Sequence, residues 1–175
     1  MRLWFHDEAR FGRISDRRRC WAPLPDRPVV PQQVVREYVY VLGAASPFDG
    51  RFCSLVLPWV DADAMSMFLA HLAAETPGEY GVVVLDGAGW HTAHALRVPS
   101  ALRLIFLPPY SPELNPIEHV WDHLRENDIG HRIFDSLDEV SDTLCVALRR
   151  LIDQPGTVHS LTCFEWLNTL RLMSN

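Results

Sequence analysis

The sequence predicts an α/β fold: a five-stranded mixed sheet, three sequential antiparallel strands followed by two parallel ones, flanked by helices. Three observations carry this reading. Short apolar runs occur in the order three strands, helix, strand, short helix, strand, then helices. The run Val82-Val83-Val84-Leu85 is continuous rather than alternating, the pattern of a strand buried on both faces. Helical spacing of apolar residues takes over at 61–75 and again at 115–127.

Taken in order, residues 2–6 read as a strand ending at Asp7-Glu8. Residues 9–33, with Pro23, Pro25, Pro28 and Pro31, read as an extended excursion. Residues 36–45 and 51–57 are β-rich and are separated by Ser46-Pro47-Phe48-Asp49-Gly50, which predicts an antiparallel hairpin. In 61–75, Ala64, Met67, Phe68, His71 and Leu72 keep helical spacing until Pro77-Gly78. Residues 80–85 form a buried strand that delivers Asp86, and Gly87 and Gly89 let the chain turn. A short helix is expected at 92–98 and a second buried strand at 102–107. Ile117, Val120, Trp121 and Leu124 mark an amphipathic helix over 115–127, and further helices are expected at 137–152 and 160–173.

A chain of 175 residues, 48% hydrophobic and 22% charged, is one globular domain by size and composition. Its longest apolar runs, 80–85 and 102–107, are far too short to span a bilayer, and the carboxylates at 7 and 8 interrupt any signal-peptide pattern. A bacterial cytoplasmic, nucleoid-associated protein is expected. Cys20, Cys53, Cys145 and Cys163 show no Cys-x-x-Cys spacing, so no structural zinc site is expected, and Cys53 and Cys145 read as buried hydrophobes in a reducing compartment. The net charge of −6 runs against nucleic-acid binding. Yet Arg10, Arg13, Arg17, Arg18, Arg19 and Arg27 crowd the first thirty positions and the chain has no Lys. That pattern suits bidentate phosphate contacts, or reflects a GC-rich genome.

Asp7 and Asp86 both fall at predicted strand ends, where α/β sheets gather functional groups. Carboxylates from separate elements that converge can hold two divalent cations for phosphodiester chemistry. Each also has a plainer reading. Asp86 suits a turn before Gly87, Asp7-Glu8 suits a strand reaching solvent, and Asn115, Pro116 and Glu118 fit a helix cap. Asp122, one turn beyond Glu118, is a supporting group or part of a solvated face. His91 and His94 lack a third ligand at family spacing, but His91 lies near enough to Asp86 to hydrogen-bond there. Trp90 stacks on a base or fills the core. Neither a Gly-x-Ser-x-Gly elbow nor a P-loop is present.

Three blocks together, residues 6–12 (HDEARFG), 85–91 (LDGAGWH) and 107–121 (LPPYSPELNPIEHVW), resemble the bacterial insertion-sequence branch of the mariner superfamily of DDE transposases. The third block is the specific one, and the arginine-rich stretch 17–21 resembles the segment between that family's first two strands. The resemblance implies a ribonuclease H-like fold spanning 1–175 with Asp7, Asp86 and Glu118, rather than Glu113, as the catalytic metal ligands. It implies two Mg²⁺ or Mn²⁺ ions, with Glu8, His91 and Asp122 as supporting groups. It also implies cleavage of transposon-end DNA and joining to target DNA by a homodimer, with DNA contacts from Arg10, Arg13, Arg17, Arg18, Arg19 and Trp90. The spacing from Asp86 to Glu118 is slightly short for the family, and the loop at 92–100 has slack to absorb it. The helix-turn-helix modules that precede this domain in the family are expected to be absent, either encoded separately or lost. A ribonuclease H-like nuclease that cuts without joining, and a non-catalytic fragment acting in DNA binding or dimerisation, are the alternatives.

Overall fold

The computed structural model describes residues 1–15, 22–26, 29, 31–89, 91, 94–130 and 132–172. Its centre is β1 (Arg2–Ile14), which carries β2 (Val34–Ser46) on one side and β4 (Gly81–Leu85) on the other; β3 (Arg51–Leu57) and β5 (Leu102–Phe106) complete the order β3-β2-β1-β4-β5. β1, β2 and β3 are antiparallel, and β1, β4 and β5 are parallel. The expected five-stranded mixed sheet is therefore observed.

β1 is longer than the charge pair at 7 and 8 suggested. β2 supplies a ladder partner from Phe5↔Ala45 to Ile14↔Val34, and Ala9 and Phe11 bury on the strand alternation, so the strand runs straight through both carboxylates. Only the parallel pairing stops early: it runs from Arg2↔Gly81 to Phe5↔Val84. The β2–β3 hairpin turns at Gly50, where Gly50 N–H donates to Ser46 O over 2.9 Å and φ is +68°. A Cβ there would stand 1.8 Å from the Pro155 carbonyl oxygen, so glycine is required both by φ and by the close approach.

Two cores sandwich the sheet. On one face α1 (Ala62–Glu75), capped by Asp61, which accepts from Ala64 N–H at 2.8 Å, packs Met65, Phe68, Leu69 and Leu72 against Trp4, Leu42, Val83 and Leu85. On the other, α2 (Glu118–Leu124), α3 (Leu137–Asp153) and α4 (Pro155–Thr162) pack Trp121, Leu124, Leu144 and Val158 against Phe11, Val41 and Phe52. α2 ends in a wider turn, Arg125–Ile129. α3 is amphipathic, its apolar side fixed by Val140, Leu144, Ala147, Leu148 and Leu151.

Four expectations are corrected. Among the described residues of 92–98 there is no helix: 94 and 95 form a turn and the chain then extends, with Arg97 N–H given to Ser66 Oγ at 3.0 Å instead of to a helical carbonyl. β5 is the sheet edge rather than a buried strand, with Ile105 and Phe106 about half exposed. The last helix is two, α4 and α5 (Glu165–Leu172), divided where Cys163 N–H closes on His159 O and Phe164 N–H on Thr162 O. Cys145 lies on the outer side of α3 and is exposed, whereas Cys53 is buried as expected. No helix among the described residues is long and apolar enough to cross a membrane.

Candidate active site and metal centre

Parallel register brings the first two acids together. β1 and β4 pair with a constant offset up to Phe5↔Val84, and carried two residues further that offset sets Asp7 beside Asp86. Asp7 is thus in mid-strand on β1 yet lies just past the end of β4, where Leu107 N–H still closes on Leu85 O and the backbone beyond is freed. Glu118 arrives on the first turn of α2, which packs on the same face of the sheet as Asp7. Asp7, Asp86 and Glu118 line one cleft of about 450 Å³ with Asn115 and the loop 107–112. Glu113 is exposed on a short turn and does not line it.

The capping reading of Glu118 is overturned. α2 has no side-chain cap, and Asn115, buried at 4% exposure, turns away from the helix to donate its Nδ2–H to His6 O at 3.0 Å. This bond ties the loop that precedes Glu118 to the strand that carries Asp7. Asp7 is held from above: Trp121 Nε1–H donates to Asp7 Oδ2 at 2.9 Å, and the indole packs edge-on to Phe11 and Phe52. The ring fits because Asp7 pairs with Gly43 on β2, where a Cβ would stand 2.4 Å from the Trp121 ring. Asp86 is more than half exposed. Its Oδ1 accepts from Ala88 N–H at 3.0 Å and from His91 Nδ1 at 2.8 Å, so the expected link from His91 to Asp86 is present.

Burial and neighbouring negative charge raise the proton affinity of two of the three acids. Burial pushes the Asp7 carboxyl up to about 8, with the negative charges of Glu118 and Glu8 adding to the effect and the Trp121 N–H opposing it. Glu118 is raised as well, first by burial and then by Asp122 and Asp86, with Arg125 opposing. Asp122 is exposed, so it acts on Glu118 through charge from the helix surface. Among the described residues no arginine forms an ion pair with any of the three acids. Asp7, Asp86 and Glu118 offer hard oxygen donors that fit Mg²⁺ or Mn²⁺, whose charge would favour the ionised form of the two buried carboxyls, Asp7 and Glu118.

The candidate DNA contacts fare unequally. Arg10 is exposed, lies over the Tyr38 ring at 4.8 Å, and shares a groove of about 410 Å³ with Arg125. Arg13 is committed inward, donating to Phe134 O at 2.9 Å and to Glu37 at 2.8 Å. Arg17, Arg18, Arg19, Arg27 and Trp90 lie outside the described residues. Sequence reasoning passed over Trp121 as a partner of Asp7, Asn115 as the loop clamp, Arg125, and Tyr110, which is fully exposed on the cleft rim at φ 57°. A glycine inside the apolar run of β2 was the available signal for the first of these.

The fold is ribonuclease H-like, and three acids from separate elements meet in one cleft at the end of its parallel strands. The chain belongs to the DDE superfamily endonuclease family, whose profile matches residues 2–141. It is similar to the uncharacterized protein y4pE/y4sA of Sinorhizobium fredii, 42% identical over 130 residues, or 74% of this chain and 96% of that protein. Among solved structures it resembles a pre-cleavage Mos1 transpososome, with a TM-score of 0.64 at 16% identity over 93% of this chain and 55% of that one. It also resembles the catalytic domain of Mos1 mariner transposase, with a TM-score of 0.59 at 15% identity over 93% of this chain and 81% of that one. A third is the Mos1 mariner paired end complex with Mn, with a TM-score of 0.62 at 16% identity over 91% of this chain and 53% of that one. The chain thus spans about half the length of the Mos1 chains in those complexes.

Proposed function

We propose that this chain is the catalytic domain of a DNA transposase, with Asp7, Asp86 and Glu118 as the ligands of two Mg²⁺ or Mn²⁺ ions. The observation that supports the reading best is the meeting of three acids from β1, the end of β4 and the start of α2 in one open cleft. Asp7, Asp86 and Glu118 would hold the cations, which would supply Lewis-acid chemistry for in-line displacement at a phosphodiester. Trp121 holds Asp7 Oδ2 and so orients the carboxyl at the cleft wall. His91 and Ala88 N–H hold one oxygen of Asp86 at the mouth, which leaves its second oxygen as a donor. Asn115 keeps the Glu118 turn at a constant distance from β1. Both DNA strands of a transposon end are the substrate. The released 3′-hydroxyl attacks target DNA in a homodimer in the bacterial cytoplasm.

End recognition is assigned to a DNA-binding region outside these 175 residues, in keeping with a net charge of −6 that gives little sequence-independent affinity. Arg10 and Arg125, which share a separate groove, are assigned as phosphate contacts. The test is a plasmid assay with Mn²⁺ or Mg²⁺ and oligonucleotide duplexes copied from the ends flanking the reading frame, either intact or pre-cleaved. Nicking of intact ends together with joining of pre-cleaved ends supports the proposal. Nicking without joining leaves a nuclease that only cuts, and neither activity from chain supplemented with its DNA-binding region leaves a non-catalytic fragment.

A further inference from the structure

Strand alternation sends His6 and Glu8 to the face of β1 opposite Asp7. There His6 stacks on Phe68 of α1, with ring centroids 4.9 Å apart, and meets His91 edge-on at 5.3 Å. His6 is fully buried and gives its Nδ1–H to Gly43 O at 2.7 Å. Its Nε2 therefore carries a lone pair, and that atom has no hydrogen-bond partner although it is shut away from solvent. His91, 2% exposed, is oriented in the same way: Nδ1 faces Asp86 Oδ1 at 2.8 Å and Asp86 O at 3.1 Å, both acceptors, so Nδ1 bears the hydrogen and Nε2 the lone pair. His91 Nε2 looks at Glu8 Oε2 across 3.7 Å. One ligand atom from each of His6, Glu8 and His91 lies within 4.8 Å of the other two.

We infer that His6, Glu8 and His91 form a separate transition-metal site, selective for zinc over magnesium, directly behind the carboxylate centre. Two imidazoles and one carboxylate are a zinc donor set with one position left for water, whereas magnesium takes oxygen ligands. Each imidazole already has the outer partner that a metal-bound histidine needs on its second nitrogen, a backbone carbonyl for His6 and a carboxylate for His91. Burial keeps both rings neutral, the form that binds metal, and holds His6 at about 3. Donor atoms around a tetrahedral zinc stand roughly 3.3 Å apart. The Glu8–His91 pair, at 3.7 Å, is close to that spacing, and the other pairs, within 4.8 Å, close on it by about 1.5 Å at most through side-chain rotation. Glu8, at 18% side-chain exposure, gives the ion its way in from solvent. With zinc bound, the rigid link from His91 to Asp86 makes this ion a support for Asp86. The family spacing that denied His91 a third ligand missed Glu8, which is remote in sequence.

The experiment uses the full chain in an Asp7→Asn, Glu118→Gln background, so that it is independent of the transposase reading. Protein stripped with chelator is titrated with Co²⁺ as a spectroscopic substitute for zinc. The expected result is one equivalent of Co²⁺ with the intense visible bands of four-coordination, displaced by stoichiometric Zn²⁺ and retained in a large excess of Mg²⁺. His6→Asn and His91→Asn keep a donor near the Nδ1 position and remove Nε2; Glu8→Gln removes the charge. Each lowers Co²⁺ affinity by at least about tenfold. Should His6→Asn fail to fold by circular dichroism, Glu8→Gln, on the ligand of the three that keeps side-chain exposure, decides. Absence of four-coordinate bands, displacement by Mg²⁺, or unchanged affinity in Glu8→Gln overturns the site. Any of these leaves a hydrogen-bonded cluster in its place.

Discussion

His6 and Asp7 are consecutive residues, yet the two faces of β1 treat them in opposite ways. The Asp7 face gathers negative charge around a cleft open to solvent, and the carboxyl answers by holding its proton to about 8. The His6 face sets two imidazoles beside Glu8 against α1, and burial answers by pushing the His6 imidazole down to about 3. One strand thereby presents a hard-oxygen centre on one side and nitrogen donors on the other. The difference teaches that burial alone sets no function. What matters is whether the buried group is left short of positive charge or short of a partner for a lone pair.

The comparison can be broken at several points. The largest effect is expected at Asp86, the most exposed member of the cleft trio: Asp86→Asn lowers metal-dependent nicking by at least about a hundredfold, while the melting temperature in chelator moves by no more than about 2 °C. Next comes Gly43→Ala, whose methyl group meets Trp121 at 2.4 Å and forces the indole off Asp7. A loss of about 1–3 kcal/mol is expected in denaturant melts, with weaker Mn²⁺ binding. An unchanged melt would mean that the ring has room to shift.

The pH dependence sharpens the Asp7 side. Unfolded aspartate ionises near 3.9, while folded Asp7 ionises near 8, so the unfolded chain sheds this proton first. Metal-free stability therefore falls as pH rises from about 4 to about 8, with the full penalty above that window and none below it. Asp7→Asn removes this slope and raises the melting temperature at pH 8 by several degrees in chelator, at about 2–4 °C per kcal/mol. For the wild-type chain, apparent Mn²⁺ affinity climbs through the same window. The smallest effect is expected for Trp121→Phe, which keeps the packing and drops the N–H. It costs about 1 kcal/mol and raises the Asp7 pKa further, read by the midpoint of the Mn²⁺ affinity profile.

The mixed five-stranded sheet, the 51–57 strand and the helices at 61–75 and 137–152 were legible because local periodicity and turn residues agree with the packing there. Asp7, Asp86 and Glu118 were singled out by the three motif blocks that carry the family resemblance, and the fold brings them to one cleft. The strand through Asp7-Glu8 was not, because charges read as a strand end and only the β2 ladder keeps the chain extended. Nor was the absence of a cap at Asn115, whose side chain is claimed by a carbonyl remote in sequence. Long-range contacts of this kind leave no local pattern. The edge position of β5 was hidden for the same reason, since an apolar run reads alike at the centre and at the rim of a sheet.

The most direct test of the central claim is anomalous scattering from a crystal of the chain soaked in Mn²⁺. The account predicts density bridging Asp7, Asp86 and Glu118. Full Mn²⁺ occupancy elsewhere, with those three carboxylates unliganded, would contradict it.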